Sequence, residues 1–379
     1  MITQSPAMLK CNIIILFSIL LFAAFSCHPN PSNSMKQESP AAKDAAFAEY
    51  PAALYPIRVK DKWGYMNRKG EVIIKPSFDD AKDFYGELAV AGLIENKEML
   101  YGYIEKEGNW KIKPAFKRAS PFNEGNAVVE KNGLYGYIDP DGNEIIPCQF
   151  ESAGRFSEGI AAVKKNGWTG FIDTTGTIII EPKYTCSVDH PLFSHGMAPV
   201  FGPDEKTGYI NTSGEWVIEP KFHSASPFKG DVAWAMIMED DVKAQHGFRI
   251  SGGFINRQGE FIIGPEYDFG WDFSEGHAVV WKISEDRTQK IWSVIDTTGR
   301  KVLDNLLYRN VGAMHNGRIA VQDEEMKWGF INSKGEEIIP PQYTGINLFQ
   351  NGLARMEVGS AFKSTFVYIN DKGELIWKE

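Results

Sequence analysis

The sequence is poor in cysteine and lacks two common catalytic motifs. It has four cysteines in 379 residues, and only Cys148 and Cys186 lie beyond the N-terminal region. An exported setting permits a disulfide between them, but two buried free thiols are the favoured alternative. The G-x-S-x-G nucleophile elbow and the G-x-x-x-x-G-K phosphate loop are both absent, which argues against hydrolase and nucleotide sites of those types.

Positive charge is also scarce. Lys and Arg number 40 against 49 Asp and Glu, for a formal net charge of −9. An acidic surface argues against nucleic acid as a partner.

A long apolar run is found only near the N-terminus, from Ile13 to Phe25. It is too short for a membrane-spanning helix and is typical of a signal peptide, predicted here over residues 1–26. The run ends in Ala-Phe-Ser before Cys27, which resembles a bacterial lipobox. The resemblance implies that Cys27 is lipidated and anchors an exported protein to the cell envelope, with the outer membrane favoured; ordinary cleavage with Cys27 incidental is the alternative. Residues 27–50 are predicted to be a disordered tether, because His28 to Ala46 is rich in Pro, Ser, Asn, Ala and Lys and lacks aromatic residues.

Glycine and aromatic residues are abundant, as expected for many turns and strands. The segment from Phe156 to Tyr184 shows the pattern best. It contains a small apolar run at 160–163, an aromatic and apolar run at 168–172, and a β-branched run at 177–180. Each run predicts one β-strand.

The same pattern recurs along the chain at a Gly-aromatic-Ile-Asx centre. Nine copies, some of them degenerate, follow each other at intervals of 34 to 45 residues. The centres begin at Gly64, Gly102, Gly136, Gly170, Gly208, Gly253, Ser293, Gly329 and Val367. This spacing is typical of solenoid or propeller units, so we predict about nine three-stranded β-meander repeats over residues 51–379.

A turn of the form Asx-x-x-Gly joins the second and third strands of each repeat. The Asx side chain can accept backbone hydrogen bonds, and glycine can adopt the positive φ that closes the turn. We predict structural turn roles for Gly70, Gly142, Gly176, Gly214, Gly259 and Gly335. Five of the nine turns begin with Asn, three with Asp and one with Glu105, so the turn explains these residues better than calcium does, and no metal or cofactor is predicted.

These repeats resemble the WG-repeat family, also called KWG repeats, of bacterial exported and lipid-anchored proteins. The residues behind the name stand here as Trp63-Gly64 and Trp328-Gly329. The resemblance extends over Tyr55 to Trp377 and implies a repeat scaffold without general catalytic activity. Departures include Thr169, which precedes Gly170, and the seventh unit, which has Ser293 in place of glycine.

Two features favour a propeller-like ring over an open β-solenoid. Runs such as Ile178–Ile180 do not alternate with polar residues, which predicts strands buried on both faces. The connectors between repeats, about ten residues long, exceed a hairpin turn and suit a step from one blade to the next.

The functional candidates are three tryptophans that break the repeat pattern. Trp234, Trp271 and Trp281 fall in units five to seven, where the longest insertions also lie. Such irregularity predicts a ligand-binding surface, although tryptophans that fill gaps between blades are the simpler interpretation. We expect a non-catalytic envelope scaffold that binds protein or glycan. The alternative is a glycan hydrolase that uses connector carboxylates such as Asp79, Asp80, Asp268 and Asp272.

Overall fold

The computed structural model describes residues 53–186, 190–240, 247–360 and 363–379. In these residues the chain forms 34 β-strands and no helix, so none is present that could cross a membrane. The strands form nine small antiparallel sheets arranged in a ring, a nine-bladed β-propeller. The predictions of an all-β repeat array and of a ring are therefore confirmed.

The blades are numbered 1 to 9 in chain order. Blade 1 contains β1 (Tyr55–Val59), β2 (Lys62–Met66) and β3 (Val72–Phe78). Blade 2 contains β4 (Asp80–Tyr85), β5 (Leu88–Glu95), β6 (Glu98–Ile104) and β7 (Trp110–Phe116). Blade 3 contains β8 (Arg118–Ala119), β9 (Ala127–Lys131), β10 (Leu134–Ile138) and β11 (Glu144–Phe150).

The next three blades include the second three-stranded sheet. Blade 4 contains β12 (Ser152–Ala153), β13 (Ile160–Lys165), β14 (Trp168–Asp173) and β15 (Ile178–Tyr184). Blade 5 contains β16 (Met197–Phe201), β17 (Thr207–Asn211) and β18 (Trp216–Phe222). Blade 6 contains β19 (Ser224–Ala225), β20 (Ala233–Asp240), β21 (Phe248–Ile255) and β22 (Phe261–Tyr267).

The last three blades each have four strands. Blade 7 contains β23 (Phe269–Gly270), β24 (His277–Ile283), β25 (Lys290–Asp296) and β26 (Lys301–Leu306). Blade 8 contains β27 (Asn310–His315), β28 (Arg318–Gln322), β29 (Trp328–Asn332) and β30 (Glu337–Tyr343). Blade 9 contains β31 (Gly345–Ile346), β32 (Leu353–Ser360), β33 (Lys363–Asn370) and β34 (Leu375–Lys378).

Seven blades thus have a fourth strand that the three-stranded prediction missed. It is a leading strand, usually of two residues, and it pairs with the first of the three long strands. This leading strand lies within the connector between repeats, for which no strand was predicted. The turn that follows it places Glu124 and Gly125 at φ +49° and +80°, the geometry of a tight two-residue hairpin turn.

The hydrophobic core lies between neighbouring blades. Nine clusters of buried side chains occupy the nine junctions, for example Tyr137 and Ile146 of blade 3 against Ala161 and Ile172 of blade 4. The ninth cluster joins the two ends of the chain. It packs Tyr55, Ile57 and Met66 of blade 1 against Leu353, Phe366 and Tyr368 of blade 9. The ring therefore closes by side-chain packing, without a blade shared between the two ends.

A repeated hydrogen bond also links the blades. The Tyr137 hydroxyl donates to the Gly154 carbonyl of the next blade at 2.8 Å, and burial raises the pKa of this tyrosine. Tyr65, Tyr103 and Tyr209 make the equivalent bond. At the closing junction, the Tyr368 hydroxyl donates to the Pro56 carbonyl at 2.8 Å. The closing junction thus also uses a buried tyrosine hydroxyl, although its acceptor lies in the first long strand of blade 1 and not in or beside a leading strand.

Burial differs between the strands of a blade, so the prediction that the strands are buried on both faces holds for only some of them. The first long strands are buried on both faces, as in β13 from Ile160 to Val163. The third strands are not, because Ile180 is buried while Ile179 is 39% exposed. The third strand is the last strand of its sheet, so only one of its faces is covered by a neighbouring blade.

Candidate interaction surface

The two faces of the ring are built from different turns. Within an antiparallel blade, the hairpin between the first and second long strands ends on one face of the ring. The Asx-x-x-Gly turns and the turns after the leading strands end on the other. We call these the hairpin face and the turn face.

The hairpin face carries exposed apolar side chains around most of the ring. Seven blades contribute at least one large apolar residue at or beside a hairpin end. Blade 7 contributes a second one just after its third strand. The exposed fractions of these side chains range from 38% to 61%. These residues are Val59, Ile94, Leu134, Trp168, Met238, Ile283, Leu307 and Met326.

Every other large apolar side chain that is exposed in the described residues lies on a third strand. This rim set consists of Val72, Ile73, Ile145, Ile179, Val217, Ile262, Val302 and Leu375. The described part of the turn face has none of them in its turns. The exposed apolar residues thus form two sets of eight, one at the hairpin ends and one on the third strands within three residues of the turn glycines.

Trp168 shows how the structure differs from the simplest sequence interpretation. The repeat pattern assigns it to the aromatic core position, yet it is 49% exposed on the hairpin face. Thr169 takes the core position instead, since it pairs with Tyr184 as Trp63 pairs with Phe78 in blade 1. No residue is inserted: Trp168 occupies the position of Leu134 in blade 3, at the hairpin end, where it pairs with Lys165.

The three predicted ligand-binding tryptophans do not form one surface. Trp234 is only 6% exposed and packs in the junction between blades 6 and 7. Gly252 and Gly270 make room for its ring, because a Cβ at either would approach it within 2.5 Å. This burial excludes Trp234 from ligand stacking, and it matches the simpler interpretation that off-pattern tryptophans fill gaps.

Trp271 and Trp281 are half-buried beside the junction of blades 7 and 8. The Trp271 indole donates to the Val311 carbonyl at 2.9 Å, and its ring meets Phe269 edge-on. Trp281 packs against Trp292, with the Lys290 ammonium 4.8 Å from its ring centre. Both side chains already have structural partners, and their part in ligand binding stays a prediction.

Lysines accompany the apolar residues of the hairpin face in blades 1 to 4. Lys60, Lys97, Lys131, Lys164 and Lys165 are all exposed there. Several nearby carboxylates are already engaged: Asp79 with Lys62, Glu98 with Lys117 and Glu130 with Arg118. The same hairpins also carry the exposed carboxylates of Asp61, Glu95 and Glu98, so both charges are present on this part of the face.

The hairpin ends of blades 5 to 8 are acidic. Their exposed carboxylates include Asp204 and Glu205 in blade 5, Glu239 and Asp240 in blade 6, Glu285 and Asp286 in blade 7, and Glu324 and Glu325 in blade 8. Exposed Lys206, Arg249 and Arg287 lie among these carboxylates, so acidic groups outnumber basic ones here but both charges are present.

The turn face uses its carboxylates internally. The Glu124 carboxylate accepts hydrogen bonds from the Glu158 and Gly159 amides of the next blade at 2.9 and 3.0 Å. Glu158 caps the following turn in the same way, and Glu275 caps the turn of blade 8. These bonds fix one blade against the next, which gives the ring a rigid turn face.

The predicted turn glycines all have positive φ. Gly70, Gly142, Gly176, Gly214, Gly259 and Gly335 lie between +76° and +87°, as the turn geometry requires. In blade 4, Asp173 Oδ1 accepts from the amides of Thr175 and Thr177 at 2.9 and 3.0 Å, which lowers the pKa of Asp173 along with the Thr175 hydroxyl bond. Among the described residues, no group of three or more His, Cys, Asp or Glu has an arrangement that could hold a metal ion.

The connector carboxylates considered for hydrolysis have structural partners. Asp79 and Asp268 cap backbone amides, whereas Asp80 and Asp272 bond to hydroxyl groups of the same or the preceding blade. The partners are Ile94 N for Asp79 (2.9 Å), Ile283 N for Asp268 (2.7 Å), Tyr101 for Asp80 (3.1 Å) and Ser226 for Asp272 (2.8 Å). These contacts explain the four residues as blade-stabilising groups.

Both cysteines of the described region are free thiols, as the favoured alternative predicted. Cys186 packs against the core between blades 4 and 5, and burial raises its pKa to about 11. A thiol with a raised pKa is a poor nucleophile at neutral pH.

The repeat family can be assigned from sequence matches across the ring. The profile described as "WG containing repeat" matches residues 63–93, 101–135, 135–167, 170–185, 208–237, 253–280 and 328–360. These segments cover more than half of the chain. The chain belongs to the WG-repeat family. The segments reach into all nine blades, so WG repeats build most of the propeller.

The solved structures that resemble this WG-repeat protein share only its fold. A eukaryotic initiation factor superposes with a TM-score of 0.59 at 10% identity, over 86% of this chain and 96% of the other. BamB from Moraxella catarrhalis gives 0.38 at 15% identity over 83% and 93%, and apo AztD from Citrobacter koseri gives 0.37 at 11% over 85% and 92%. A search of curated protein sequences found no significant match.

Proposed function

We propose that this WG-repeat propeller is a non-catalytic interaction scaffold of the bacterial cell envelope and that it binds a protein partner through its hairpin face. The observation that carries the proposal is the apolar set at the hairpin ends. Eight large apolar side chains from seven blades are exposed there, whereas the other exposed apolar residues lie on the third strands at the rim. Removing such side chains from water on binding contributes roughly 25 cal/mol per Å² before the costs of association.

The composition of the face favours protein over glycan. Sugar rings are recognised mainly by stacking on aromatic side chains, and Trp168 is the single aromatic residue in the exposed set. Its other members are aliphatic residues and methionines placed among charged groups. An apolar patch bordered by charges is typical of protein interfaces.

The location is proposed from the sequence. Residues 1–26 have the pattern of a signal peptide, and lipidation of Cys27 would attach the protein to the envelope membrane. These residues lie outside the part of the chain that the structure describes. In the first described strand, Tyr55 enters blade 1 at the turn face, since β1 runs from that face to its hairpin with β2.

The test compares two triple variants with matched exposure. The hairpin variant changes Ile94→Ser, Leu134→Ser and Trp168→Ser, which are 56%, 38% and 49% exposed. The rim variant changes Ile73→Ser, Ile145→Ser and Ile179→Ser, which are 51%, 37% and 39% exposed. Because both sets are surface residues, we expect both variants to fold with nearly wild-type thermal stability.

Partners are captured after cross-linking in intact cells and quantified by mass spectrometry. We expect the hairpin variant to lose the partners captured by the wild type, with roughly a tenfold or greater reduction, because it removes the apolar centre of the contact. The rim variant should retain them. Equal capture by the hairpin variant and the wild type, or equal loss in both variants, would contradict the use of the hairpin face.

A further inference from the structure

Blade 7 departs from the repeat over its hairpin and its link to blade 8. Residues 281–327 lie in none of the matched family segments, which resume at residue 328. Cross-strand pairing places four side chains of blade 7 in one row, namely Phe269, Trp281, Trp292 and Leu306. The first three positions of this row in blade 4 hold Ser152, Lys164 and Thr169. The repeat itself therefore does not require aromatic residues there.

Two positive side chains lie beside this aromatic row. The Lys290 ammonium is 4.8 Å from the ring centre of Trp281 and 5.9 Å from that of Trp292. Lys290 is half-buried, and Arg309, which comes just before β27 of blade 8, is exposed. Neither head group makes a hydrogen bond or an ion pair with any residue that the structure describes. Burial and the nearby Arg309 guanidinium both lower the pKa of Lys290. We call Lys290 and Arg309 the cation pair.

The neighbouring carboxylates do not neutralise the cation pair. Several already accept hydrogen bonds from amides, hydroxyls or a lysine of their own blades, namely Asp268, Asp286, Asp304 and Asp323. Glu285, Glu324 and Glu325 are exposed at the two adjacent hairpin ends and form no ion pair with described residues. Arg287 adds another exposed positive group at the hairpin of blade 7. Because like charges repel, an anion placed between Lys290 and Arg309 would relieve their repulsion.

We propose that the cation pair binds an acidic side chain of the protein partner, an Asp or Glu that is flanked by apolar residues. The proposal rests on the proposed function, since it gives the chemistry of the partner at the hairpin face. A carboxylate between the two cations can accept a charge-assisted hydrogen bond from each. Ile283 pairs with Lys290 across the hairpin, and Leu307 lies two residues before Arg309. These two side chains are 38% and 61% exposed, so they can contact the flanking apolar residues.

The site favours a peptide segment over an acidic sugar. A sugar ring is held by stacking on an open aromatic face. Lys290 lies over the ring of Trp281, which also packs against Trp292. The apolar groups that remain well exposed beside the cations are the aliphatic Ile283 and Leu307. Aliphatic contacts around a charged pair suit a protein partner.

The first test identifies the carboxylate by cross-linking. Membranes from cells that make the full-length protein are treated with a water-soluble carbodiimide. The reagent activates a carboxylate, the neutral Lys290 amine attacks its carbonyl carbon, and a urea leaves, so that an amide joins the two chains. Mass spectrometry of the linked peptides should find Lys290 joined to an internal Asp or Glu of another protein. Arg309→Met should reduce the yield of this link about fivefold or more, because it removes the second cation.

The second test measures partner capture with matched variants. The site variant changes Lys290→Met and Arg309→Met. The control changes Lys282→Met and Arg300→Met, which removes one lysine and one arginine of the same blade that already pair with carboxylates. Methionine retains an apolar stem, so both variants should keep nearly wild-type thermal stability. Capture should fall about tenfold in the site variant and stay unchanged in the control.

The outcomes separate this proposal from the proposed function. Linkage of Lys290 only to carboxylates of its own chain, or no linkage to another protein, would overturn the proposal. Linkage to a C-terminal carboxylate or to a sugar acid would also overturn it, as would wild-type capture by the site variant. If the hairpin variant loses its partners while the site variant retains them, the proposed function stands and only the role of the cation pair is rejected. Retention of all partners by both variants rejects both.

Discussion

The glycine of each Asx-x-x-Gly turn serves two purposes. Gly176 has φ +84°, which favours glycine, and a Cβ built on it would lie 3.1 Å from Ile146 Cγ2 of the preceding blade. The same relation recurs around the ring, and Gly70 of blade 1 packs in this way against Ile376 of blade 9. The turn therefore needs glycine both for its conformation and for the distance between blades.

A pair of substitutions in blade 4 separates these two effects. Gly176→Ala should lower the free energy of unfolding by about 2–3 kcal/mol, from backbone strain plus the contact with Ile146. Gly167→Ala is the control, since Gly167 has φ +80° and nothing within 4 Å of a built Cβ. It should cost only about 1 kcal/mol. Equal losses in chemical denaturation would show that the blade contact contributes nothing.

At the scale of the strand, the glycine of the WG motif has a different role. Gly170 lies opposite a bulge of the third strand, where Thr169 and Phe171 pair with Tyr184 and Ile180. Between these two pairs the third strand advances by four residues, whereas the second strand advances by two. A Cβ on Gly170 would lie 2.7 Å from both Ile180 O and Pro182 N, so only glycine fits.

The two blades that lack this glycine also lack the full bulge. In blade 7, Ser293 replaces glycine, and the third strand uses three residues from Leu303 to Leu306. In blade 9, Val367 replaces glycine, and the strands run in step from Val367 to Tyr368 without a bulge. Where another residue replaces the glycine, the bulge is therefore smaller or absent, which explains the irregular repeats physically.

We predict that Gly170→Ala destabilises the protein by about 2–3 kcal/mol, because the new methyl group collides with backbone that cannot rotate away. Gly264→Ala provides the comparison in blade 6, where a built Cβ meets nothing within 4 Å. Its effect should stay within about 1 kcal/mol. Thermal unfolding of both variants measures the difference, and a neutral Gly170→Ala would contradict the bulge explanation.

For the whole molecule, the decisive feature is ring closure between the ends of the described chain. Besides the ninth core cluster, Arg58 Nε donates to the Glu379 carboxylate at 2.6 Å, and that hydrogen bond raises the pKa of Arg58. Phe366 stacks on Trp63 with ring centres 5.5 Å apart. Side-chain contacts therefore bring the C-terminal residue next to the first blade.

Closure can be tested with the repeated tyrosine bond. Tyr368→Phe and Tyr137→Phe each remove one hydroxyl donor from a junction, the first at the closure and the second inside the array. Each should lower the free energy of unfolding by about 1 kcal/mol. If Tyr368→Phe alone has no effect while Tyr137→Phe is destabilising, the closing junction does not form in solution.

The anchoring proposal concerns the whole molecule in the cell. Cys27→Ser should move the protein from the membrane fraction to the soluble fraction, because it removes the proposed lipidated thiol. Cys11→Ser, within the predicted signal peptide, should leave the distribution unchanged. Membrane association of Cys27→Ser under detergent partitioning would reject the lipoprotein assignment.

Local pattern was sufficient for the elements and their repetition. Turn chemistry at residues such as Asp173 and Gly176, and apolar runs such as 160–163, predicted the strands, the nine units and the ring. These features depend on short-range backbone preferences, which a sequence displays directly. The leading strand escaped prediction because two residues are too few to show any periodicity.

Only the tertiary structure decided which side chains remain exposed. Trp234 breaks the repeat pattern and is buried, whereas Trp168 was assigned to the aromatic core position of the pattern and is half exposed. Strand alternation shows on which side of a sheet a residue lies, but the adjacent blade determines whether that side is covered. The apolar residues of the hairpin ends likewise share one face because ring closure brings separate repeats together.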